Sequence, residues 1–206
     1  MTRDAAVGII QNRLGQRTNS EVTTQIIGEL QLAQSDLELE PSLPWFMIKS
    51  VTENESTASF STETDFIREL QEVSGLSVVI SGQRLPLVKD DFDYLSRQES
   101  LTGTGQPKFY SLLGSTYYLF PVPNGVYSFT KIYYATQALL TSNIENSWLK
   151  HIPGLLISIA GERMARYLRD PEATGLFVQD IQVYRKQLLD ADIAHRTAAL
   201  EAFVGG

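Results

Sequence analysis

Cysteine is absent from this chain, which removes disulfides, thiol nucleophiles and cysteine-based zinc sites together. Histidine is almost absent. Only His151 and His195 occur, in different segments and without Cys, His or carboxylate partners at a metal-ligand spacing, so both are read as surface or interhelical side chains and no metal or cofactor is expected. Long apolar runs are missing as well: "GLLISIAG" at 154 to 161 is the longest and is far too short to span a bilayer, while "MTRDAAVGIIQNRLG" is charged where a signal peptide needs an apolar core. No membrane association is expected. A basic stripe is the remaining absence, for the net charge is -7, and tight DNA binding needs cations that displace phosphate counterions. No G-x-S-x-G elbow, Walker loop or dinucleotide fingerprint occurs either; "GTGQPK" only superficially resembles a phosphate loop, and no enzyme activity is expected.

What is present is 206 residues with 43% hydrophobic content, enough to bury a core. Val7, Ile10 and Leu14 share one face of a short helix opened by Thr2 and stopped by Gly15. Thr18-Asn19-Ser20-Glu21 forms a capping-box pattern opening a longer helix, with Val22, Ile26, Leu30, Ala33 and Leu37 at helical spacing and Pro41 and Pro44 at its end. Glu38 and Glu40 flank that end and read as exposed. From "LPWFMIKSV" to "KIYYAT" short apolar runs alternate with turn-formers, which predicts several strands in an antiparallel sandwich or small barrel. Within this block "LFPVPNGVYSFTKIYY" at 119 to 134 reads as a hairpin around Asn124-Gly125, "TGTGQP" as a mobile loop and "DDFDYLSR" as a brief helical turn. After Ala135 the helical period returns twice, once with Ile152, Leu155, Leu156 and Ile159 facing a core, and again with Phe177, Ile181, Tyr184, Leu188 and Ala191 on one stripe of an antiparallel neighbour.

The expected fold is therefore α+β. A helical body, built from residues before about 44 and after about 140, carries an inserted antiparallel β-sandwich or small barrel; the expected division is 1–44 with 135–206 for the body and 45–134 for the insert.

Two clusters invite a chemical reading. Asp90, Asp91 and Asp93 are able to bind calcium or supply a carboxylate pair for sugar hydrolysis, yet a solvated helix start whose negative charge favours the helix dipole accounts for them more simply. Phe109, Tyr110, Tyr117, Tyr118, Phe120, Tyr127, Phe129, Tyr133 and Tyr134 crowd successive strands. Strand alternation sends about half of such rings inward, so core and protein interface are favoured over a sugar-stacking platform.

"LPWF" at 43 to 46, "GQPKFYSLLGSTYYLFPVPNGVYSFTKIYY" at 105 to 134, "NSWLKHIPGLLISIAGERMARYLRD" at 146 to 170 and the closing helix occur in the order and with the separations of a known family. Over roughly residues 18 to 195 the chain resembles the head-to-tail adaptor, or connector, proteins of short-tailed bacteriophages. The resemblance implies a structural virion protein that forms a dodecameric ring below the portal protein, extends the DNA channel and carries the tail nozzle and fibres. The helical body would then pack subunit to subunit on the portal side, with the β-insert towards the tail, and double-stranded DNA would pass without being held. Trp45, Tyr134 and Trp148 lie in the matching motifs and are candidates for subunit packing or interface. Phe203 and Val204, near the C-terminus, are added as a terminal docking anchor. A carbohydrate-binding or host-recognition β-module, a hydrolase using the aspartates, and a tail-completion protein remain as alternatives.

Overall fold

The computed structural model describes residues 1–70, 75–101 and 103–204, the side chains of 99 and 198–204 excepted. The chain forms two compact units: Met1–Met47 together with Gln137–Gly206, and Ile48–Thr136. The fold is α+β, with helices in the N- and C-terminal parts and largely antiparallel sheet between.

In the first unit the apolar periodicities become helices α1 (Arg3–Arg13), α2 (Ser20–Glu38), α4 (Ser147–His151), α5 (Pro153–Tyr167) and α6 (Pro171–Val204); α3 (Phe92–Ser96) belongs to the second unit. The N-cap of α2 is Asn19, not Thr18: its side chain accepts from Val22 N at 2.7 Å, leaving one residue fewer before the first apolar position than the capping-box pattern suggests. Gly15 and Gln16 carry φ of 75° and 60°, the left-handed region that ends α1. α4 and α5 break at Ile152, because Pro153 has no N–H to continue α4 and is instead suited to the first turn of α5.

α5 is the centre of this unit, with α1, α2, α4 and α6 packed on it. Leu155, Leu156, Ala160 and Met164 are fully enclosed. Ile159 is only half-buried, whereas Ile157 is buried. Two glycines set the distance to α6: a Cβ on Gly161 would lie 2.5 Å from the Phe177 ring, and one on Gly154 would overlap the Tyr184 ring. Seven residues separate each pair, in opposite chain directions, so α5 and α6 run antiparallel with an aromatic ring seated on each bare backbone. Beyond Asp170, whose carboxylate accepts from Ala173 N at 3.0 Å, α6 continues without interruption to Val204.

The second unit is built on two larger sheets. β1 (Ile48–Glu55), β11 (Tyr127–Ala135), β4 (Leu76–Ile80) and β5 (Gln83–Pro86) lie in that order, with β3 (Phe66–Glu69) also on β11; β2 (Ser59–Ser61), β9 (Thr116–Phe120), β8 (Phe109–Leu113) and β6 (Val88–Lys89) form the other. Leu76, Val78 and Phe129 from the first sheet meet Phe60, Tyr110, Tyr117 and Leu119 from the second in one apolar cluster. This is a sandwich; the strands do not close into a barrel.

The expected hairpin at Asn124-Gly125 does not form. β9 before the turn pairs with β8 and β2, while β11 after it pairs with β1, β3 and β4. The segment is a crossing from one sheet to the other. Pro121 and Pro123 supply no N–H, so a two-residue hairpin ladder there would lack donors. Val122–Pro123 (β10) instead pairs in parallel with Thr104–Gly105 (β7), which corrects the loop expected at "TGTGQP"; Thr102 lies outside the described residues. Tight hairpins lie elsewhere, one of them where Ser81 and Gly82, with φ of 52° and 79°, join β4 to β5, the two positive angles of a type I′ turn.

Candidate functional site

Helical packing on α5 leaves much of α6 uncovered. Leu176, Val183, Leu189 and Ile193 are each more than half exposed, at 59, 54, 57 and 54%, and Val178 is 36% exposed. At about 100° per residue these aliphatic side chains fall on the flanks and back of the helix, away from Phe177, Tyr184 and Leu188. A helix that is apolar on both its inner and outer sides is normally covered on both.

Near its C-terminal end α6 meets the 3₁₀ turn Trp45–Met47. Asp192 is buried on α6 and accepts from Trp45 N at 2.8 Å and from Arg196 Nε at 2.7 Å. This fixes the Trp45 ring, which stacks on His195 at 3.7 Å and meets His151 edge-on at 4.8 Å. Phe46 continues the array, parallel to His151 at 5.0 Å and perpendicular to Trp148 at 5.1 Å. The two histidines, remote in sequence, thus flank one tryptophan. Partial burial, then the charges of Lys150 and His195, hold the His151 imidazole below its ordinary pKa. Trp45 and Phe46 are half-buried while both histidines are exposed, so the cluster presents mixed aromatic and titratable edges to solvent.

Trp148 is different. It is 1% exposed, and its indole N–H donates to Glu38 Oε1 at 3.1 Å. The same oxygen accepts from Gln34 Nε2 at 2.9 Å and Gln137 N at 3.3 Å, while Asn146 Nδ2 donates to Gln34 Oε1 at 2.9 Å and Asn146 Oδ1 caps Leu149 N at 3.0 Å. Glu38, expected to be exposed, is buried. Burial raises its pKa, and the hydrogen bonds from Gln34, Trp148 and Gln137 oppose the rise. Glu40 is half-exposed and accepts from both Arg185 terminal nitrogens, at 2.6 and 3.1 Å. The hydrogen-bonded pair of Gln34 and Asn146 is a feature that sequence reasoning missed, since no local pattern links α2 to a helix start so far along the chain.

In the second unit Tyr134 is buried beneath Arg68, whose guanidinium lies 5.6 Å from the ring centroid. Tyr133 donates to Asp65 Oδ1 at 2.8 Å. Burial favours protonation of Asp65, but hydrogen bonds from Lys49 and Tyr133 outweigh it and its pKa falls. Of the nine aromatics considered for sugar stacking, Tyr110, Tyr117, Phe129, Tyr133 and Tyr134 are buried and the other four are half-buried. Phe92 of α3 covers Tyr118 and Phe120, at 4.7 and 5.9 Å, so no flat ring platform is laid open. Asp91 caps α3 through Asp93 N and Tyr94 N at 2.9 and 3.2 Å, and Asp90 accepts from Asp91 N. The carboxylates of Asp90 and Asp91 are therefore engaged in starting a helix. Among the described residues no group of three or more His, Cys, Asp or Glu side chains is placed to hold a metal ion, and no helix is long and apolar enough to cross a membrane.

A family model described as SU10 adaptor protein matches residues 5–202. The chain belongs to the SU10 adaptor protein family. No curated protein is significantly similar to it. As an SU10 adaptor it is a structural bacteriophage protein and a component of the virion, working by contact with other virion proteins. The matched span takes in Trp45, Tyr134 and Trp148. Phe203 and Val204 lie beyond it, at the end of α6, and their side chains fall outside the described residues.

Proposed function

We propose that this SU10 adaptor assembles as a ring, dodecameric in the form the family resemblance implies, below the portal protein. In that position it extends the DNA channel and offers a platform to tail nozzle and fibre proteins. The observation that carries the reading is the outer side of α6, where Leu176, Val183, Leu189 and Ile193 remain exposed in the isolated chain. Covering such a face with a neighbouring subunit removes apolar surface from water without rearranging the core behind it. Trp45 supplies a partly exposed ring beside the same helix and is assigned to direct contact. Tyr134 and Trp148 are buried, so their assigned role is to hold the surfaces above them. Phe203 and Val204 are assigned to docking on the portal.

The helical unit is assigned to ring packing and the portal side, and the β-unit to the tail side. The net charge of -7 suits a conduit, because an acidic wall does not retain the phosphate backbone of passing DNA. Electron microscopy of the full chain mixed with its cognate portal tests the reading. A ring of adaptor density on one face of the portal is expected; portals that stay bare at saturating chain would overturn it.

A further inference from the structure

The strand β1 has an open side. Ile132 N donates to Gly75 O at 2.8 Å, and Thr130 O accepts from Ser77 Oγ at 3.3 Å, so the even-numbered residues of β11 direct their backbone groups towards β4. Its odd-numbered residues face β1. In the unbroken register Lys49↔Tyr133, Val51↔Lys131, Glu53↔Phe129 and Glu55↔Tyr127 are then the hydrogen-bonded pairs. Ile48, Ser50, Thr52 and Asn54 direct their N–H and C=O groups the other way, off the edge of the sheet. All four residues are exposed, and no backbone hydrogen bond from them to another described residue occurs on that side.

The remaining edges are short or blunted, and β3, which pairs only with β11, has four residues. On β5, Leu87 N donates to Leu76 O, so Arg84 and Pro86 face outward, and Pro86 has no N–H to give. β2 has three residues and β6 two. β1 has eight, with no proline and no bulge. Such an edge is a template for strand addition.

We propose that the open edge of β1 takes β1 of a second copy of this chain, antiparallel, about a two-fold axis at Val51. The occupant follows from the strand's own sequence. In this register Ile48 pairs with Asn54 and Ser50 with Thr52 of the second copy, and each pair exchanges two backbone bonds. A shift by one pair in either direction leaves an end residue of each copy unpaired. The same register sets Lys49 opposite Glu53 of the second copy, twice, so no like charges meet; within each copy Lys49 already pairs with Asp65 and Glu53 with Lys131. Lys49 is 47% and Glu53 30% exposed. The Pro86 edge of a second copy would complete far fewer bonds. Because the contact is two-fold, it closes on itself and cannot propagate round a ring. It is the state of the free chain, and it opens before subunits enter an assembly. The inference stands on the strand alone and does not depend on the ring.

The test uses the full-length chain, which has no native thiol. Val51 faces itself across a non-hydrogen-bonded pair, where Cα atoms approach to about 4.5 Å, within disulfide range. Val51→Cys is therefore expected to give a covalent dimer under mild oxidation. Ser50→Cys, displaced diagonally from its own copy, is expected to give little. Sedimentation velocity should show the wild-type mass rising from one chain towards two with concentration, since so short a seam is small for an interface. Thr52→Pro removes one outward donor and leaves the backbone bonds to β11 in place, losing on that side only the Thr52 Oγ1–Thr130 Oγ1 hydrogen bond at 2.9 Å, and should abolish the rise while circular dichroism stays unchanged. A chain monomeric at every concentration, equal cross-linking at Ser50 and Val51, or a dimer that survives Thr52→Pro would each overturn the proposal. Should Thr52→Pro unfold the chain, the contrast between the two cysteine variants decides alone.

Discussion

Glu38 shows how much one side chain can gather. Its Oε1 accepts from Gln34, Gln137 and Trp148, joining α2 to the segment that returns after β11. Glu38→Gln keeps an acceptor in the same place and removes a buried charge, so stability near neutral pH should change by less than ~1 kcal/mol. Glu38→Leu leaves the Trp148 indole N–H buried without its acceptor, and should cost about 1–3 kcal/mol; urea unfolding distinguishes the two. The raised pKa of Glu38 also has a signed consequence. The folded chain holds this proton more readily than the unfolded one, so the associated stability is fully present below pH 4.5, the ordinary value, and is lost as pH rises through the folded-state value. In Glu38→Gln that decline should disappear from a series of unfolding curves taken across this range; an unchanged decline would assign it to another group.

Among the elements, the α5–α6 contact is the one that a single methyl group can test. Gly161 and Gly154 both accept a ring from α6, but the rings differ in freedom. Phe177 is 1% exposed and has nowhere to go, whereas Tyr184 is half-buried and can swing outward. Alanine is the better helix former by about 1 kcal/mol, against an overpacking cost of about 1–3 kcal/mol. Gly161→Ala should therefore be clearly destabilising, and Gly154→Ala near neutral, in thermal unfolding of the two variants side by side. The reverse order would mean that Phe177, not Tyr184, is the ring that yields.

For the molecule as a whole, the outer side of α6 separates folding from assembly. Leu189 and Ile193 contribute little to the isolated chain because most of each side chain is already in water. The double change Leu189→Lys with Ile193→Lys should leave unfolding within about 0.5 kcal/mol of the wild type. Portal-bound ring density should nevertheless be lost, because two cations would be buried in a subunit contact. Retention of full assembly by this variant would place the ring contact on another face.

Sequence alone determined the helices, their order and the α+β class, since helical hydrogen bonds run between residues four apart and leave their period in the local pattern. It also marked the helix start at 90–93, where Asp91 caps residues two and three positions on. The motif order across the chain is enough by itself to suggest the adaptor family. Tertiary structure decided what depends on distant partners. Asn124-Gly125 has the composition of a hairpin turn, yet which strands lie beside β9 and β11 is settled by Phe60, Tyr117 and Phe129 meeting between two sheets. Glu38 looked solvated because Trp148 and Asn146, more than a hundred positions later, give no local sign that they will cover it. The array of His151, Trp45 and His195 and the open edge of β1 have the same origin: ring contacts and strand neighbours are non-local, and no window of sequence contains both halves of either.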